Sequence, residues 1–108
     1  MAQDFRNSLV RTIGTGDTTI LTAGDYDAVI GIRCCNIVTS TITIDVKIAK
    51  GGADYFIATG VVTPPNSAIE LIQGGAKIVL ANGDVLEAVS DTASSLDVTC
   101  SYIDTISA

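Results

Sequence analysis

From Ile42 to Ala49 the chain alternates strictly. Ile42, Ile44, Val46 and Ile48 are apolar, and Thr43, Asp45, Lys47 and Ala49 between them are polar or small. Successive side chains of an extended chain point to opposite faces, so a period of two reads as a half-buried strand of an antiparallel sheet. Leu96, Val98, Cys100 and Tyr102 repeat the pattern against Asp97, Thr99 and Ser101. In residues 26–38, Ala28, Ile30, Ile32 and Cys34 share one face. Val29, Arg33 and Ile37 share the other, which points to a central strand covered on both sides for part of its length. No segment carries a convincing helical period.

Further strands are expected at residues 8–13, 18–22, 54–59, 68–73, 76–80 and 84–90. The turns between them have a mechanism. Ala23-Gly24-Asp25 and Asn82-Gly83-Asp84 supply positive φ, and Gly51-Gly52 joins two strands as a hairpin. Thr63-Pro64-Pro65-Asn66 stops pairing, because neither proline has an N–H to donate. Short strands at this spacing predict an all-β fold, a compact antiparallel β-sandwich of about eight strands, jelly-roll or immunoglobulin-like. Residues 1–8 are polar and lack alternation, so they are expected to form a flexible N-terminal arm ahead of a single domain, residues 9–108.

The core has to come from aliphatic residues. Hydrophobic residues make up 47% of the 108, yet only 5% are aromatic and there is no Trp. Six basic against twelve acidic residues leave a net charge of -6, spread without a block. That is the opposite of the clustered basic footprint of a nucleic-acid-binding protein. No run approaches the about 18 apolar residues of a membrane helix. The first residues lack the apolar stretch of a secretory signal, so synthesis in a cytoplasm is expected.

Candidate chemistry is sparse. The chain has no His, the commonest general base and metal ligand. Glu70 and Glu87 could form a carboxylate pair for glycoside hydrolysis, but a strand-borne Glu is ordinarily a solvated face residue. Asp25 and Asp27 flank Tyr26, and Asn82 precedes Asp84 by two, yet a calcium loop needs six or more converging oxygens. Those residues read as turn formers that keep their charge in water. Gly74-Gly75 and Gly83 lack the strand-to-helix context of a phosphate loop. Cys34, Cys35 and Cys100 are too few for a disulfide framework or a zinc site. They are expected as free thiols, with one bridge from Cys34 or Cys35 to Cys100 as the alternative. Tyr26, Tyr55, Tyr102, Phe5 and Phe56 are expected to pack in the core or at its rim, with a sugar-stacking platform as the alternative. Arg33, amid apolar neighbours, is either a snorkelling surface residue or an ion-pair donor between subunits. No cofactor and no catalytic residue is implied.

The order of segments carries a resemblance. It runs from Leu21-Thr22-Ala23-Gly24 through Cys35-Asn36, the Thr-rich strand at 41–48, Tyr55-Phe56-Ile57 and Ala68-Ile69-Glu70-Leu71. It continues through Lys77-Ile78-Val79-Leu80 and Gly83-Asp84-Val85-Leu86-Glu87-Ala88 to Leu96-Asp97-Val98-Thr99-Cys100-Ser101-Tyr102. Over residues 18–104 this resembles the small all-β virion proteins of tailed bacteriophages, most of all capsid decoration (cement) proteins. The resemblance implies a non-enzymatic homotrimer on the outside of the capsid, bridging the major capsid protein and stabilising the shell. Partner contacts are then expected at Gln3, Asp4, Phe5, Arg6 and Arg33, and at Gly52, Asp54, Pro64, Pro65 and Asn66 in the loops. The alternative is a head–tail connector or a tail- or fibre-associated protein. A carbohydrate-binding module is the reading from a different class.

Overall fold

The computed structural model describes residues 4–24, 26–72 and 77–104. Among them are nine strands and no helix: β1 (Phe5–Ile13), β2 (Thr18–Thr22), β3 (Asp27–Asn36), β4 (Ile42–Lys50), β5 (Ala53–Thr63), β6 (Ala68–Glu70), β7 (Ile78–Leu80), β8 (Val85–Ser90) and β9 (Leu96–Ile103).

The pairings nest. β4 pairs with β5, β3 with β6 and β7, β2 with β8, and β1 with β9, all antiparallel. This is one long folded hairpin, and its tip is the Gly51-Gly52 turn, where φ is +60° and +83°. Glycine reaches that region without a Cβ clash. Rolling the hairpin on itself adds β3–β9 and β4–β8. The result is two sheets, β1-β9-β3 with β6 and β7 at its far edge, and β2-β8-β4-β5. The β-sandwich is therefore a jelly roll.

Nine strands replace about eight because one edge strand is broken. Between Arg33↔Glu70 and Val29↔Ile78, β3 advances four residues and its partner eight. The surplus falls on the segment joining β6 to β7, so the strands expected at 68–73 and 76–80 are shorter than their sequence runs. Of those runs, residues 73–76 lie outside the described residues.

Two further boundaries differ from the sequence reading. β1 begins at Phe5, with Phe5↔Ile103 and Ser8↔Cys100 in register. Residues 5–8 thus belong to the sheet, and only 1–3 of the expected arm lie outside the described residues. Backbone pairing needs no apolar alternation at an edge, so Arg6, Asn7 and Ser8 gave no signal. β5 runs on to Thr63 through two register shifts, with Gly60 at φ +64°. These are β-bulges, which twist an edge strand and discourage uncontrolled pairing.

The core is aliphatic. Ile13, Ile32, Ile42, Ile44, Leu80, Leu86 and Leu96 are fully buried, together with Val29, Val46 and Val98. Each such side chain stabilises the fold by about 1.5–3 kcal/mol relative to exposure. Val29 corrects its expected face. A bulge between Val29 and Gly31 reverses the alternation of β3, so Val29 joins Ile32 and Cys34 in the core while Arg33 stays outside.

Candidate assembly interface

No aromatic side chain is fully buried. Phe5 is 77% exposed, Tyr55 59%, Phe56 54% and Tyr26 43%. Tyr102 is half-buried against the core. The rim reading fits only Tyr102, because aliphatic residues already fill the space between the sheets. Exposed aromatic area has the most to gain from a partner surface.

The exposed residues concentrate on two edges. β1 carries Phe5 and Leu9, and β5 carries Tyr55, Phe56 and Val62. β1 runs beside β2, where the Ser8 hydroxyl donates to the Ile20 carbonyl. β5 is the edge of the second sheet farthest from β2. The two apolar edges therefore occupy opposite flanks of the sandwich.

Beside Phe56, on the outer face of the second sheet, lies a charge cluster built around Lys47. Its Nζ donates to Asp17 at 2.7 Å and to Asp54 at 2.9 Å, with Glu87 at 4.0 Å and the Phe56 ring centroid at 5.8 Å. Alternation predicts an exposed lysine, yet the side chain is 7% exposed. Three carboxylates cover it. Their hydrogen bonds raise its pKa, Asp17 first and Asp54 next, so the ammonium holds its proton and cannot serve as base or nucleophile.

The expected contact residues fall into separate groups. Gln3 lies outside the described residues. Asp4 and Asp104 close the end of the β1–β9 ladder through their backbones, and Arg6 donates to both carboxylates. Hydrogen bonding from Arg6 holds the Asp104 carboxyl below the usual range. The β4–β5 turn with Gly52, followed by Asp54, stands at the same end of the molecule as Phe5. Pro64, Pro65 and Asn66 stand at the other end, eleven β5 residues away. At about 3.3 Å per residue that is more than 30 Å. Arg33 lies on the outer face of the first sheet, its Nε 3.2 Å from Glu70 across the β3–β6 pair.

Asn36 was not singled out from sequence. It is fully buried and ties together the two loops that follow β3 and β5: Nδ2 faces the carbonyls of Ser40, Thr63 and Pro64 at 2.8–3.1 Å, and Oδ1 accepts from the Val38 N–H. Its position at the end of a strand before a polar turn was the available signal.

Glu70 and Glu87 sit on different sheets, the first beside Arg33 and the second beside Lys47, so the carboxylate pair is not assembled. The three cysteines are free thiols. Burial pushes Cys34 up to about 12 and Cys100 up to about 11, which keeps both neutral. Asp84 departs from the solvated turn residue expected. It is buried, accepts from the Ala81 N–H and lies 3.4 Å from Lys50. Of the calcium candidates, Asp25 lies outside the described residues and Asp27 is buried. An open depression of about 440 Å³ lies near the chain ends, lined in part by Arg6, Asp27, Tyr102 and Asp104.

This arrangement defines a jelly-roll sandwich with apolar flanks. No protein-family model matches the chain, and no curated protein matches it. Solved structures share its fold. A structure from Bacillus endospore appendages, described as a family of disulfide-linked pili, aligns at a TM-score of 0.57 and 19% identity, over 94% of this chain and 84% of that one. A pentameric capsid protein isolated from metagenomic phage sequences aligns at 0.53 and 17%, over 93% of this chain and 60% of that one. A second structure of such a capsid protein, solved by iodide phasing, aligns at 0.53 and 18%, over 93% and 62%. The chain thus spans less than two thirds of those capsid proteins, and at these identities the likeness is one of fold.

Proposed function

We propose that this chain is a non-enzymatic structural protein of a phage particle, a decoration protein that binds the outside of the assembled capsid as a trimer and stabilises it. The observation that carries this reading is the placement of the aromatic residues. An aliphatic jelly roll with aromatic residues on both flanks is suited to binding other proteins. Fold-sharing with a phage capsid protein and with a pilus structure, both parts of larger assemblies, supports it.

Shell contact falls to the end that carries Asp4, Phe5, Arg6, Gly52 and Asp54, together with the residues ahead of β1. Pro64, Pro65 and Asn66 face away from the shell, and many copies acting together supply avidity. The test mixes purified protein with expanded, undecorated heads and measures co-sedimentation and imaged density. Stoichiometric density at the threefold positions is the expected result. Density at the neck or tail of whole virions would replace it with a connector or tail role. Residues 5–8 belong to β1, so the arm is tested by deleting residues 2–4; undiminished head binding would remove the arm from the contact.

A further inference from the structure

We infer that copies of this chain join head to tail, the β5 flank of one docking its Phe56 against the β1 flank of the next.

Edge lengths narrow the choice. β2 has only five residues, and the β6–β7 edge is broken into two segments of three. β1 with nine residues and β5 with eleven are the long edges, and each is paired on one side. Shape points the same way. A shallow depression of about 250 Å³ lies on the outer surface of β1 and β9, lined by Leu9, Val10, Arg11, Asp97, Val98 and Thr99. Phe56, more than half exposed on β5, is a side chain of the kind that fills such a depression.

Charge sets the partner. Leu9 and Arg11 stand two residues apart on β1, as Phe56 and Asp54 do on β5. Arg11 makes no ion pair among the described residues, whereas Asp17, Asp54 and Glu87 share the single ammonium of Lys47. An antiparallel approach that sets Leu9 against Phe56 sets Arg11 against Asp54. Pairing β5 with β5 would bring two acidic clusters together, and pairing β1 with β1 would leave the exposed Phe56 and the acidic cluster beside it uncovered. A contact between unlike surfaces leaves one of each free, so assembly proceeds until a ring closes. The inference rests on the reading above insofar as the chain is an assembly subunit; it does not need a capsid.

Leu9→Asp blocks the β1 flank and Phe56→Ser the β5 flank. By native mass spectrometry the unaltered protein is expected as a closed oligomer and each variant as a monomer. An equimolar mixture of the two variants is expected to form a dimer and nothing larger, because it retains one intact pair of surfaces. An unaltered protein that is monomeric, a variant that still oligomerises, or a mixture that stays monomeric would overturn the inference. Phe56 also shelters Lys47, so thermal melting checks folding. Should Phe56→Ser not fold, Arg11→Glu carries the test: the oligomer's dissociation constant is expected to rise at least tenfold, and an unchanged value refutes the contact. Head binding is scored separately. Monomers bound to heads would sink this contact and leave the capsid reading standing, whereas rings that ignore heads would do the reverse.

Discussion

The ammonium of Lys47 lies 2.7 Å from the carboxylate of Asp17, thirty residues earlier in the chain. The contact spans β8 and ties the loop before β2 to the centre of the second sheet. Asp54 and Glu87 complete the cluster, so one cation holds three carboxylates together. Lys47→Met removes it and leaves the carboxylates in mutual repulsion. The melting temperature is expected to fall at pH 7 and to fall by less at about pH 11.5, above the unfolded lysine value, where the unaltered protein has itself begun to lose the contribution. The sign follows from the raised lysine pKa, whose stabilisation is complete below the unfolded value of 10.5 and is lost as pH rises through the folded one. A loss that is equal at both pH values would contradict the account.

Asn36 holds the loops that follow β3 and β5. Asn36→Ala removes its hydrogen bonds and leaves buried carbonyls without a donor. Urea denaturation should show a loss of about 3 kcal/mol. A loss below about 1 kcal/mol would mean that the loops hold themselves.

Thr63 offers the reverse case. It is fully buried, and its hydroxyl has no hydrogen-bond partner among the described residues. Thr63→Val keeps the shape and removes the unsatisfied group. Stability is expected to rise by about 1 kcal/mol, and a decrease would reveal a partner for the hydroxyl.

The thiols should separate by reactivity. Cys35 is partly exposed on the outer face of its sheet, while Cys34 and Cys100 are buried. A thiol reagent is expected to label one group in the native protein and three after denaturation, with native labelling abolished by Cys35→Ser. Burial raises the Cys34 pKa from 9.0 to about 12. The unfolded thiol therefore ionises first, so this contribution to stability is complete below pH 9 and is lost between pH 9 and 12. Rapid native labelling of all three would refute the assigned burial.

The sequence by itself determined the strands wherever one face meets the core. Ile42 to Ile48 and Leu96 to Tyr102 alternate because each side chain's face depends only on its neighbours along the chain. The glycine and proline turns follow from equally local φ preferences. The tertiary structure decided what depends on partners distant in sequence. Pairing chose the jelly roll over other sandwiches, and a single bulge turned Val29 into the core. Backbone ladders extended β1 to Phe5, where no side-chain pattern marks the strand. The burial of Lys47 was illegible for the same reason, since a polar side chain is buried only where distant groups come to satisfy it. The apolar flanks arise likewise: Phe5, Leu9 and Phe56 face outward on strands that finish at the edges of the sheets, and the pairing of distant strands decides both face and edge.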